Sequence, residues 1–359
     1  MKAEIRRHFA PALIAWQRQH GRHGLPWQGT RDPYRVWLSE IMLQQTQVST
    51  VLDYYPRFLA RFPDVQTLAA AQPDEVMALW SGLGYYSRAR NLHRCAQQVV
   101  AVHGGEFPRD AQTLETLPGI GASTAAAIAA FCHGERVSIL DGNVRRVLAR
   151  LLAFGGDQAL PKVHREMWDM AQALLPESPA HDDMAAYTQG LMDLGATVCV
   201  RGQPRCVACP MQSVCEAHCT GRTTDFPVKT KRVARRFERW WLWWAERESP
   251  HGEREVWLVR RPERGIWAGL YCLPVFDSEE ALLATANTEP GTLEFFPAMP
   301  HALTHRELLL HAVRQVLPAW DEAALPAGQW VAISAMGGLG LPAPVRQLLQ
   351  PQAPLFAGQ

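Results

Sequence analysis

Three groups of residues in this 359-residue chain have the types and spacing for chemistry. Leu117-Pro118-Gly119-Ile120-Gly121 is a glycine turn that opens an alanine-rich helix, and Asp141-Gly142-Asn143 follows further along. Gly119 and Gly121 let backbone N–H groups point outward at a helix N-terminus, where a phosphate is held without any side chain. Asp141 puts a carboxylate at the mouth of the next helix, where the helix dipole favours an anion. A phosphate grip beside an acid points to chemistry on a nucleic acid, although an αα-turn and an Asp N-cap would account for each half alone. The second group is Cys199, Cys206, Cys209 and Cys215, spaced C-x6-C-x2-C-x5-C. Four thiolates so close in sequence can wrap one metal centre. A four-cysteine zinc site and a cubane iron–sulfur cluster both fit, the longer flanking spacers favouring the cluster. Neither leaves an open position for substrate, so its role is structural. The third is Glu40, whose helical neighbours Val36, Trp37 and Leu43 form an apolar face. A carboxyl there is desolvated, its pKa rises, and it can serve as a general acid.

Helices must position these groups. Apolar residues recur at spacings of three and four through Tyr34–Gln47, Val48–Arg61, Pro73–Leu79, Arg88–His103, Gly121–His133, Asn143–Leu152 and Lys162–Leu175. Met1–Arg18 reads as a surface helix, and Asp32-Pro33, Phe62-Pro63, Gly104-Gly105, Gly155-Gly156 and Pro176–Pro179 punctuate the series. Ser81–Tyr86 is too glycine-rich for a helix interior and reads as a loop. Thr220–Arg239 is polar and basic, as suits a linker or exposed arm. Beyond it Arg239–Glu246 and Glu255–Arg261 read as strands, Ser278–Ala286 and Val345–Leu349 as helices. The length favours two domains, giving a helical domain over 1–220, a linker over 221–234 and an α+β domain over 235–359.

Hydrophobic content is 47% and charged content 20%, as in an ordinary globular protein. No apolar run reaches the roughly 20 residues of a membrane span, and no signal peptide is recognisable, so a cytoplasmic location is expected. Without an export signal the eight cysteines do not suggest a disulfide framework. Cys95, Cys132, Cys219 and Cys272 are scattered and are expected to be small buried hydrophobes. The net charge of +1 gives nucleic-acid binding no support, though it can hide a positive face.

Leu117–Gly121, Asp141 and the cysteine quartet, in that order, resemble the helix-hairpin-helix DNA glycosylases with an iron–sulfur loop. Within that superfamily, Leu25-Pro26-Trp27, Val36-Trp37-Leu38-Ser39-Glu40-Ile41-Met42-Leu43-Gln44-Gln45-Thr46-Gln47-Val48 and Gly82-Leu83-Gly84-Tyr85-Tyr86-Ser87-Arg88-Ala89-Arg90 are similar to the adenine DNA glycosylases of MutY type. The resemblance implies an all-α glycosylase domain holding a [4Fe-4S] cluster on Cys199, Cys206, Cys209 and Cys215. Glu40 would protonate the leaving base. Asp141 would stabilise the sugar cation, the division of labour two carboxyls have in glycosidases. Asn143 matches the family's pocket asparagine. Ser123 stands where bifunctional relatives carry a lysine nucleophile, and no lysine occurs between Lys2 and Lys162, so no Schiff base can form and the abasic site stays uncut. A duplex base must leave the stack first. Gln45 and Tyr85 match residues that wedge into the helix, Leu83 belongs to the same loop, and Arg22, Trp27 and Gln189 match the adenine pocket or its entrance.

The second domain resembles a Nudix fold through Gly265–Pro274 but lacks the glutamate-rich metal-binding helix, so it should not hydrolyse nucleotides. By resemblance it would recognise 8-oxoguanine opposite the adenine, the nearest match to the family's recognition loop being Leu303-Thr304-His305. Thr304 has a second reading, as the cap of a helix beginning at His305. The expected partner is double-stranded DNA with A·8-oxoguanine or A·G mispairs, met by a monomer at the nucleoid. Two other functions compete: a mismatch glycosylase on the same scaffold removing another base, such as thymine opposite guanine, and a non-catalytic damage-sensing module.

Overall fold

The computed structural model describes residues 1–228, 235–286, 293–317 and 325–350. Residues 229–234 of the expected linker and 351–359 of the expected second domain lie outside the described residues. The helices are α1 (Ala3–His20), α2 (Pro33–Leu43), α3 (Val48–Arg61), α4 (Val65–Ala70), α5 (Pro73–Trp80), α6 (Ser87–His103), α7 (Ala111–Leu114), α8 (Ala122–His133), α9 (Gly142–Leu151), α10 (Pro161–Ala173), α11 (His181–Asp193) and α12 (Glu216–Cys219), followed among the strands by α13 (Glu279–Ala286) and α14 (Ala343–Leu349). Contacts divide the chain into one unit of 1–70 and 94–231 and another of 71–93 and 232–359.

In the first unit the apolar stripes of the helices meet in one core. Ile5, Phe9 and Leu13 of α1 pack with Ala126, Ala127 and Ala130 of α8, Val144, Val147, Leu148 and Leu151 of α9, and Met184, Tyr187 and Leu191 of α11. The small residues of α8 fit a helix buried on nearly all sides, which a single-faced amphipathic pattern would not signal. Proline at the start of α2 and α10, and the Asp32 carboxylate accepting the Tyr34 N–H at 2.9 Å, set helix starts where the sequence pattern put them. Among the described residues no helix is long and apolar enough to cross a membrane.

The second unit is built on a mixed sheet of β1 (Arg236–Glu248), β2 (Arg254–Arg260), β3 (Tyr271–Cys272), β4 (Val275–Phe276), β5 (Leu293–Phe295), β6 (Met299–Ala302), β7 (Arg306–Val316) and β8 (Gln329–Ala332). Its main path runs β3-β2-β1-β7-β5, with β4 on β1, β6 on β7 and β8 on β2. β1 and β7 run parallel from Arg236↔Arg306 to Glu246↔Val316 without a bulge, and every other pair is antiparallel. Trp243, Trp257 and Val313 form a core on one face beneath Leu282 and Ala286 of α13.

Within the expected 1–220 domain, residues 71–93 group by contact with 232–359, and two expectations of local structure change. Ser81 Oγ and Tyr86 OH both donate to the Leu341 carbonyl, at 2.8 and 2.9 Å, and Arg90 Nη1 donates to the Ala268 carbonyl at 2.7 Å. The helix expected from His305 is strand β7, so Thr304 caps no helix. Leu308, Leu310 and Ala312 alternate inward against β1, a period of two that the run Leu308-Leu309-Leu310 conceals in the sequence. Cys219 is exposed rather than buried, because α12 ends at the surface.

Candidate active site

α2 presents Glu40 one turn before its C-terminus, beyond the buried Val36 and Trp37. Burial, with a smaller contribution from the charge of Asp141, pushes the Glu40 carboxyl up to about 8. Two carboxyls from helices far apart in sequence therefore share one electrostatic environment, the arrangement expected of an acid and its anionic counterpart. Asp141 is the N-cap of α9: its Oδ1 accepts the N–H groups of Asn143 at 2.9 Å and Val144 at 2.7 Å. One oxygen receives both bonds, which fixes the rotamer of the carboxylate.

The hairpin that delivers Asp141 is tied together by Ser123. Its hydroxyl accepts the N–H of Leu140, the residue before Asp141, at 3.1 Å. Gly119 has φ +78° and Gly121 is the N-cap of α8 with no side-chain cap, so the amides of the first turn stay open to an anion. Both glycines are exposed.

Asn143 is held from the far side. Arg146, almost fully buried, donates Nη2 to Asn143 Oδ1 at 2.8 Å and to the Gly195 carbonyl at 2.7 Å, and Nε to the Cys199 carbonyl at 2.8 Å. Gly195 lies in a π-helical turn, Leu194–Val198, continuing α11. A Cβ there would stand 2.7 Å from Asn143 Cβ, so only glycine lets the two segments approach. One turn on, Arg150 reaches into the cysteine loop: Nη1 lies 3.4 Å from Cys199 Sγ and donates to the Val200 carbonyl at 2.7 Å, and Nε donates to the Thr223 and Phe226 carbonyls. Asp141, Asn143, Arg146 and Arg150 thus make α9 a rod joining the acid to the cysteines.

Cys199, Cys206, Cys209 and Cys215 line one small cavity with Arg150, Gln212 and His218. Burial pushes the Cys209 thiol up to about 12 and raises that of Cys215. Such thiols carry charge only when a metal centre compensates it. Four thiols lining one cavity are a donor set that fits an iron–sulfur cluster.

The expected pocket residues gather on a group that sequence reasoning missed. Asp193, fully buried at the end of α11, accepts Arg22 Nε at 2.7 Å, the Arg22 N–H at 2.9 Å and Gln189 Nε2 at 2.9 Å. Its position four residues after Gln189, on the same helical face, is the signal that could have found it. Trp27 is buried edge-on against Tyr55, at 5.5 Å between centroids. A separate cavity of about 520 Å³, around Asp32, Asp64, Arg109 and His133, contains none of these residues.

Gln45 and Tyr85 are exposed and have φ of +57° and +48°, a left-handed conformation rare for side chains of their size. Leu83 is buried in the Gly82–Gly84 loop, and its carbonyl accepts Arg88 Nη2 at 3.2 Å. In the second unit Leu303-Thr304-His305 is the tip of the β6–β7 hairpin, closed by Leu303 N–H donating to the Arg306 carbonyl at 2.8 Å. Thr304 Oγ1 stands 3.3 Å from Tyr85 OH. His305 is exposed.

Residues 38–173 match the HhH-GPD superfamily of base excision DNA repair proteins, and residues 249–351 match the NUDIX domain. An adenine DNA glycosylase of Buchnera aphidicola subsp. Acyrthosiphon pisum is 32% identical over 95% of this chain and 97% of its own. One from Rattus norvegicus is 35% identical over 90% of this chain and 73% of its own. Among solved structures, a thermostable thymine-DNA glycosylase superposes with a TM-score of 0.55 at 27% identity, covering 60% of this chain and 98% of its own.

Proposed function

Because the chain belongs to the adenine DNA glycosylase family, we propose that it hydrolyses the N-glycosidic bond of adenine mispaired with 8-oxoguanine or guanine, as a monomer and without a lyase step. The observation that carries this reading is the raised pKa of Glu40 beside the capped carboxylate of Asp141. The flipped adenosine lies between them. Glu40 delivers its proton to the base, at N7, as the C1′–N9 bond lengthens. Asp141 stabilises the positive charge that develops on the deoxyribose, and water completes hydrolysis at C1′. Asn143, fixed by Arg146, holds the sugar-side geometry. Ser123 keeps Leu140 and hence Asp141 in register; its hydroxyl cannot form a Schiff base, which supports base release without strand cleavage.

Asp193 orients Arg22 and Gln189 toward the adenine edge, and Gly119 and Gly121 hold a backbone phosphate. Gln45 and Tyr85 wedge the stack, while Thr304 and His305 meet the oxidised purine. Cys199, Cys206, Cys209 and Cys215 would hold a [4Fe-4S] cluster, which when bound stiffens the loop against which Arg146 and Arg150 brace α9. The test is incubation with an A·8-oxoguanine duplex, analysed with and without alkali. Strand breaks after alkali only, lost in Glu40→Gln, are the expected result; breaks without alkali would overturn the absence of a lyase step.

The likeness to a thymine-DNA glycosylase favours a second reading, thymine removal opposite guanine. It covers 60% of this chain, whereas the adenine-specific relatives match over 90% and 95% of it. Thymine release from a T·G duplex faster than adenine release from A·8-oxoguanine would establish it.

A further inference from the structure

The start of β1 carries a surface that the glycosylase chemistry does not use. Alternation puts Phe237, Arg239 and Trp241 on one face of the sheet, and in the parallel neighbour Glu307, Leu309 and His311 share it. Phe237 is 54% exposed, with the Arg239 guanidinium over its ring at 5.7 Å. Trp241 stacks on His311 at 4.7 Å and 13°, and both remain partly exposed. Pro300 and Ala302 of β6, both exposed, continue the same face. The chain leading in is cationic: Lys229, Lys231, Arg232, Arg235, Arg236 and Arg239 occur with Glu238 as the single acid. Glu238 is on the opposite face, engaged by Arg236 and Arg306, whereas Glu307 lies across from Phe237 beside the aromatic stripe.

We propose that this face binds a single strand of DNA, its bases stacking on Phe237 and Trp241 and its phosphates pairing with Arg235 and Arg239. Exposed aromatics interleaved with cations are the chemistry of single-strand platforms, since every base offers a π-face and every linkage a charge. Phe237 and Trp241 are about 13 Å apart along the strand, which leaves room for the Arg239 head group between two splayed bases. Six cations against one acid over residues 229–239 suit a polyanion better than a protein surface of mixed charge. The face adjoins the Leu303–His305 tip, for Arg236 N–H donates to the His305 carbonyl at 3.1 Å. The proposal rests on the glycosylase reading only in extending the DNA surface beyond that tip.

The test uses the full chain and a fluorescein-labelled twelve-nucleotide oligo(dT), with affinity read by anisotropy across a salt series. Phe237→Ala and Arg239→Gln each weaken binding about tenfold, as loss of one stacked base does. Phe237→Trp retains it, and Arg239→Gln also lowers the salt slope by roughly 0.7. Val316→Ser, at the far end of β7 and 63% exposed, changes nothing. A benzophenone side chain at position 237 crosslinks to the oligonucleotide. Affinities within twofold of wild type for both variants, or no DNA crosslink from position 237, overturn the proposal. Adenine release from an A·8-oxoguanine duplex is followed in parallel with the unmodified protein. Failure there refutes the glycosylase reading and leaves oligo(dT) binding to stand or fall separately.

Discussion

Replacing Glu40 with glutamine should make the protein more stable as well as inactive, by an amount that depends on pH. The Glu40 carboxyl titrates at about 8 in the folded protein against an ordinary value of 4.5. Between these limits the folded state keeps a proton that the unfolded chain has released. Stability contributed by the protonated carboxyl is therefore complete below 4.5 and is lost as pH rises toward 8, at about 1.36 kcal/mol per pH unit. From pH 5 to pH 7.5 the wild type loses roughly 3 kcal/mol on this account. Glu40→Gln keeps the shape, cannot ionise and loses none of it. Urea unfolding at pH 5, 6, 7 and 7.5, read through amide protection of Val144 and Leu148 in α9 so that the second unit does not contribute, gives the difference directly. The two proteins should converge near pH 4.5 and stop diverging above 8. Parallel stability profiles between pH 5 and 7.5, or a variant less stable than wild type at pH 7.5, would refute the claim that burial holds a proton on Glu40. In the proposed mechanism the same proton is delivered to the base, so wild-type single-turnover excision should fall through an alkaline limb near pH 8.

Gly195→Ala forces a Cβ to within 2.7 Å of Asn143 Cβ; single-turnover adenine release should drop at least tenfold while iron and sulfide content stays at the wild-type level, and concurrent loss of iron would show that the glycine serves the loop instead. Ser123→Lys should yield a borohydride-trapped enzyme–DNA adduct where wild type yields none, and trapping by wild type would contradict hydrolysis by water. Thr304→Ala removes one neutral hydrogen-bonding group, so preference for A·8-oxoguanine over A·G should narrow by about two- to tenfold, with release from A·G unchanged.

How much of this the sequence discloses depends on whether the deciding contact is local. Val48–Arg61 is helical over the residues its periodicity indicated, because Phe62-Pro63 stops it within the same stretch of chain. Glu40 and the Asp141 cap were legible for the same reason: an apolar helix face and a capping residue are short-range facts. Asp193 was not, since its meaning comes from Arg22, whose side chain arrives from the far end of the sequence. The strand at Arg306–Val316 was misread because its inward period appears only when β1 lies beside it. Residues 71–93 carry no mark of their contacts with 232–359, because the partners, the Leu341 and Ala268 carbonyls and the Arg260 and Tyr271 side chains that meet Asp74, lie far along the sequence.

Strain at Gln45 and Tyr85 says something the chemistry at Glu40 cannot. A left-handed backbone at a residue other than glycine costs on the order of 1–3 kcal/mol and survives only where its surroundings enforce it. Both side chains are nevertheless exposed. At Tyr85 the enforcing elements are visible: Gly82 and Gly84 turn the chain at φ +104° and +72°, and Arg88 donates to the Leu83 and Gly84 carbonyls while lying over the rings of Trp80 and Tyr85. The loop is therefore shaped before any DNA arrives, and binding need not supply the ordering entropy of the wedge. The strained loop keeps Tyr85 outward, which is the form a side chain must have to enter a base stack.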